Sequence, residues 1–196
     1  MIERGQATED DMVAAFLRAE INSSRYDDYI LGQLRQQGLS RRLIDQPNLA
    51  DAAENAVRKQ LLDFRGFQAR NALFTRFPTD AQWRRVTLEP NDLIRLRYAN
   101  YPTWIELSGG TRLVSAGAQN FRGLPDDPAT YHIYAIADAV RNGTRFPELI
   151  TAEADDGSLI LIEGHSRATA YLMEGFPADC DALVASSPTM LRWAFY

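Results

Sequence analysis

Apolar positions early in the chain recur at helical spacing. Met12, Ala15, Phe16 and Ala19 share one face of a helix predicted from Glu9 to Ile21, with Thr8 as its cap and Asp10 and Asp11 near the positive end of its dipole. Tyr26, Tyr29, Ile30 and Leu34 predict a second helix from Ser24 to Gln37, stopped by Gly38. Leu49, Ala53, Ala56, Val57, Leu61 and Phe64 predict a third, capped by Asn48 and ended by Gly66. These faces need a cover, which could be each other, the rest of the chain or a second copy. The period changes beyond Phe77, Pro78 and Thr79, where a boundary is placed.

Arg84 to Leu88 alternates as a strand does, with Val86 and Leu88 on one side, and Asn91 can cap a short helix through Asp92, Leu93 and Leu96. Tyr101 to Arg112 ends in a glycine pair that leads into a helix through Val114, Gly117 and Ala118. Asp126, Asp127 and Pro128 mark a loop. Tyr131 to Asn142 is amphipathic, with Ile133, Ile136, Ala137 and Val140 inward and Asn142-Gly143 as a left-handed stop. Asp155-Asp156-Gly157 joins strands over 148–153 and 158–163 into a hairpin. A helix from Ser166 to Glu174, a strand from Ala182 to Ala185, and a terminal helix after Ser187-Pro188 carrying Leu191 and Trp193 complete the pattern. The expected fold class is α+β: a helical N-terminal region over residues 1–80 and a small mixed-sheet domain over 81–196.

The chemistry gathers at LILIEGHSRATAYLMEG, Leu159 to Gly175, where a strand should meet a helix. The first N–H groups of a helix lack intrahelical partners and face what precedes them, so an anion fits there. Gly164 allows a tight turn, and His165, Ser166 and Arg167 can add a ring nitrogen, a hydroxyl and a guanidinium fork, each charge-assisted bond contributing about 1.5–3 kcal/mol. Glu163 beside a phosphate repels it unless the carboxylate accepts a proton, holds a metal or orients its neighbours. The plainer reading makes Ser166 an N-cap, His165 a turn residue and Glu163 with Arg167 an ion pair across one turn. Ser108, Gly109, Gly110, Thr111 and Arg112 form a second candidate cradle, or a plain glycine turn. His132 is expected as a surface or capping residue. Trp83, Trp104 and Trp193 are expected as core anchors, with Trp104 also placed to stack on a base.

The chain of 196 residues, 45% hydrophobic and 24% charged, is long enough to bury a core. Its net charge of −5 disfavours generic binding to nucleic acid. The single cysteine, Cys180, cannot form an internal disulfide, no Cys/His cluster has zinc spacing, and no apolar run is long enough to cross a membrane. A cytoplasmic protein is therefore expected.

The order helix, Asn142-Gly143, Phe146-Pro147, hairpin, Glu163-Gly164-His165-Ser166-Arg167, helix, Gly175, strand resembles the ParB/sulfiredoxin-like superfamily over about residues 84–186. The alanines of the following helix, Ala168 and Ala170, fit the same pattern. The resemblance implies a nucleotide- or phosphate-binding protein, with ATP, ADP or CTP as ligand and Mg²⁺ accompanying a di- or triphosphate. It implies phosphate contacts from Gly164 to Arg167; in the scheme built on it Glu163 and His165 are the candidate catalytic residues, and the second cradle, Ser108 to Arg112, closes the pocket. Small-molecule phosphotransferase and nucleotide hydrolase are the implied activities. Sulfiredoxins carry a catalytic cysteine just before the histidine, where this chain has Gly164, so reductase chemistry is not expected. A segregation protein would follow its nucleotide domain with a basic helix-turn-helix, for which the residues up to Tyr196 leave no room. A non-catalytic interaction or sensing module, with homo-oligomers formed through the N-terminal helices, and a ParB-like nuclease stay open as alternatives.

Overall fold

The computed structural model describes every residue except Ser24, 126–129 and 176–179, so the loop expected at Asp126 to Pro128 lies outside the described residues. The fold is α+β, built on a mixed six-stranded sheet in the order β1-β2-β6-β4-β5-β3. The strands are β1 (Ile2–Ala7), β2 (Gln82–Leu88), β3 (Leu96–Arg97), β4 (Leu149–Glu153), β5 (Leu159–Glu163) and β6 (Cys180–Ser186). The expected hairpin is present as antiparallel β4 and β5; β3 runs parallel to β5, and β6 parallel to β4.

Four helices connect β1 to β2: α1 (Glu9–Glu20), α2 (Asp27–Gln36), α3 (Arg42–Asp45) and α4 (Ala52–Leu61). Thr8 closes α1 with a full capping box, its hydroxyl accepting from the Asp11 N–H while the Asp11 carboxylate accepts from the Thr8 N–H. The cap of α4 is Asp51, whose carboxylate accepts from Ala53 and Glu54; Asn48 instead supports the preceding turn by accepting from the Ala50 N–H. Beyond β2 come α5 (Pro90–Leu93), α6 (Pro102–Leu107), α7 (Val114–Phe121), α8 (Tyr131–Arg141) and α9 (His165–Glu174). Glu89 rather than Asn91 caps α5, and Leu96 belongs to β3 rather than to that helix. The terminal helix expected after Pro188 is a single 3₁₀ turn over Met190–Arg192.

Alternation in β5 divides the core. Ile160 and Ile162 face one side, with Ile150, Ala152, Leu183 and Ala185, and meet Met12, Phe16 and Leu17 of α1 together with Leu61 at the end of α4. Leu159 and Leu161 face the other, with Leu149 and Val184, and meet Val114 of α7 and Ala168 of α9. A strand covered on both faces is apolar throughout, which is why LILI carries no polar position. Helix α1 thus spends its apolar face on the sheet, and α3 and α4 pack against α1. The expected division at residue 80 cuts through this arrangement, because β1 pairs with β2 and the first core cluster draws on both sides of the boundary.

Candidate functional site

Parallel β3 and β5 run in the same direction, β3 ending opposite Ile160 and β5 continuing to Glu163. Beyond them the chain passes through Tyr98 to Tyr101 into α6 and through Gly164 into α9. The region beyond the carboxyl ends of parallel strands is where α/β sheets offer unpaired backbone and space for ligands. Gly164 makes the turn at φ +99°, and a Cβ there would lie 2.5 Å from Leu149 Cδ2. Glycine is thus required by both conformation and packing. The leading amides of α9 receive no side-chain cap, and the first intrahelical bond comes from the Ala168 N–H to Gly164 O at 2.8 Å.

His165 leans toward the β3 side. Its Nε2 accepts from the Ala99 N–H at 3.3 Å, which places the ring proton on Nδ1. The ring stacks near Trp104 at 5.4 Å and Tyr98 at 6.0 Å, with Tyr101 edge-on at 6.1 Å. Burial, and then the charges of Arg65, Arg25, Arg167 and Arg112, push its pKa down to about 3, so the imidazole is neutral at physiological pH. Arg167 leans the other way, toward β4. It is buried, donates to the carbonyls of Pro147 and Glu148, and pairs with the Glu163 carboxylate. The i,i+4 ion pair foreseen as the plainer reading is therefore formed, and Glu163 is held by it rather than left as a free base. Ser166 Oγ lies 3.3 Å from Nε2 of the exposed His132, joining α9 to α8.

The second cradle does not open toward a ligand. Gly109 and Gly110 donate their N–H groups to Glu106 and Ile105, and Thr111 donates to Ser108 O, closing the C-terminal end of α6. Ser108 is buried; its hydroxyl reaches the carbonyls of Trp104 and Ile105 and accepts from the Arg112 N–H. Arg112, at φ +61°, donates to the backbone oxygens of Tyr98 and Tyr196. Its charge reaches His165, but as a strut of the corner.

Three further charged residues, Glu20, Arg25 and Arg65, act at this corner. Glu20, the last residue of α1, is 2% exposed, and its nearest ionic partner is Arg25 Nη2 at 3.8 Å. Burial, and then the charge of Glu163, raise its pKa to about 7 against the pull of Arg65, Arg25 and Arg167. Arg65 follows α4, donates to Tyr26 Oη at 2.7 Å, and keeps a buried Nε without a hydrogen-bond acceptor. Glu20 had a visible signal: it continues the buried stripe of Met12 and Phe16 at intervals of four, and an acid there opposes the helix dipole. Arg25 and Arg65 had none.

Among the described residues, no group of three or more His, Cys, Asp or Glu side chains gathers as a metal site. No helix of the described residues is long and apolar enough to cross a membrane. Comparisons with protein-family models, curated proteins and solved structures find no match for this chain.

Proposed function

We propose that the chain binds a nucleotide or another phosphorylated small molecule at the corner between β5 and α9, in the manner implied by its resemblance to the ParB/sulfiredoxin-like superfamily. One observation carries this reading. Arg25, Arg65, Arg112 and Arg167 all act on the neutral His165 in a chain whose net charge is −5, and the carboxylates identified among them are Glu20 and Glu163. A local excess of guanidinium groups beside the leading amides of a helix favours a bound anion. The donors assigned to the ligand are the α9 amides, Arg25 and Arg65. Arg167 holds the turn in shape through Glu163 and two carbonyls. Mg²⁺ would enter with a di- or triphosphate ligand, on the ligand's own oxygens.

Calorimetric titration with ADP, ATP, CTP and GTP, with and without Mg²⁺, tests the proposal. Arg25 is mostly exposed, so Arg25→Ala should leave the fold intact. Loss of one charge-assisted bond of about 1.5–3 kcal/mol should weaken affinity roughly tenfold or more. Wild-type protein that binds none of these nucleotides, or Arg25→Ala and Arg65→Ala variants that both bind as wild type does, would overturn it.

A further inference from the structure

Two segments far apart in sequence meet before β2 and after β6. The Ala194 N–H donates to Thr75 O at 3.0 Å, the Trp193 ring N–H donates to Leu73 O at 2.7 Å, and Ser187 Oγ donates to Asp80 Oδ1 at 2.8 Å. The same segments line a cleft of about 770 Å³, with the buried Phe77 beneath and the exposed Arg76, Thr79, Asp80, Leu191 and Arg192 around it. Phe77 is fixed there by Trp193, edge-on at 5.5 Å, and by Trp83, stacked at 6.2 Å.

Arg76 is held in the left-handed backbone region, at φ +58°. That conformation is strained for a residue other than glycine and persists only where the neighbours fix it; here Thr75 O accepts from Ala194 on one side, and the Phe77 N–H donates to Phe74 O on the other. Neither the Arg76 nor the Arg192 guanidinium enters a hydrogen bond or ion pair among the described residues. Asp80 is engaged by Ser187, so the cleft carries two guanidinium groups against one carboxylate in a chain whose net charge is −5. The N–H groups of Phe77, Thr189 and Arg192 are already engaged by Phe74 O, Ser187 Oγ and Thr189 O. Recognition therefore falls to the two planar forks, which match carboxylates side by side. Leu191, 58% exposed, adds apolar surface next to Arg192.

A small ligand is held by walls that enclose most of its surface, and the exposed walls of this cleft do not. An extended segment gains instead from contacts at successive residues. We propose that the cleft docks an acidic peptide segment of another protein, two of whose carboxylates pair with Arg76 and Arg192 while an apolar side chain between them rests on Leu191. This surface is independent of the corner between β5 and α9.

Fluorescence anisotropy with a labelled peptide carrying two glutamates on each side of a leucine tests the proposal, with the same peptide carrying glutamines as control. Wild type should bind the acidic peptide at least about tenfold more tightly than the control, and added salt should narrow the difference. Arg76→Gly and Arg192→Ala should each weaken binding roughly tenfold or more. Arg76→Gly should melt no lower than wild type, because glycine takes the left-handed conformation without a Cβ, so its loss of binding would not reflect unfolding. Equal binding of the two peptides, no binding of either, or variants that both bind as wild type does would overturn the proposal. Displacement of the acidic peptide by inorganic phosphate at the same concentration would overturn it too, since the cleft would then be a small-anion site.

Discussion

Replacing Glu20 by glutamine should stabilise the protein at alkaline pH and leave it almost unchanged in acid. Burial and the neighbouring charge of Glu163 raise the folded pKa from 4.5 to about 7. A shift of that size corresponds to about 3 kcal/mol. The sign follows from proton counts. Below about pH 4.5 the acid is protonated in both folded and unfolded chains, and the shift costs nothing. Between the two pKa values the folded chain binds more protons, so its stability falls as pH rises, and above about pH 7 the whole penalty is present. Glutamine keeps the shape of the protonated acid and cannot ionise. Urea unfolding of wild type and Glu20→Gln over about pH 4 to 9 measures the difference directly. His165 contributes with the opposite sign in both proteins, since its folded pKa of about 3 favours folding above pH 6.5 and loses that advantage as pH falls. Subtraction removes it. A difference between the two proteins that stays flat across this range, or a variant less stable than wild type near pH 8, would refute the reasoning.

Arg167→Ala should destabilise the fold by about 3–5 kcal/mol in urea unfolding, because it leaves the Glu163 carboxylate and the carbonyls of Pro147 and Glu148 without their shared donor. Arg167→Lys should recover only part of this, since one ammonium cannot reproduce the guanidinium fork. Gly117→Ala would place a Cβ 2.4 Å from Tyr98 Oη and should cost about 1–3 kcal/mol, read as a lowered melting temperature. Adding Tyr98→Phe should not return that loss, since the ring carbons Cε2 and Cζ stay 2.6 and 2.8 Å from the new methyl and the Thr169 hydroxyl loses its partner.

Legibility in the sequence followed the range of the interactions. The Thr8 box, the Asn142-Gly143 stop and the β4/β5 hairpin are each decided within a few residues, and each appears where the pattern places it; α9 begins one residue before the expected Ser166, with Gly164 rather than Ser166 as its N-cap. The strand Ile2–Ala7 is different. It is a largely exposed edge whose hydrogen bonds all come from β2, far along the chain, so IERGQA shows no apolar alternation to read. At two residues, β3 is too short to show a period. The same distinction applies at the site. The spacing of Glu163 and Arg167 announces their ion pair, while the glycine pair at 109–110, more readily a plain turn than a cradle by sequence, spends its N–H donors on closing α6. Arg25 and Arg65 reach the corner through tertiary packing alone, and only Glu20 carried a local warning as an acid on a buried stripe.

The N-terminal helices therefore do more than cover one face of the sheet. Their apolar stripes bury Ile160 and Ile162, the inward residues of the strand that leads into the corner, and their ends deliver Glu20, Arg25 and Arg65 to it. Packing and chemistry are coupled through the same segments. The strand that carries Glu163 packs with the helix that ends in Glu20, and the charge of Glu163 raises the proton affinity of Glu20. Whatever shifts α1 along the sheet changes the spacing of the two acids and of the guanidinium groups around His165. A change in apolar packing at Met12 should therefore register as an altered proton affinity at Glu20, because the distance that sets that affinity is fixed by the core.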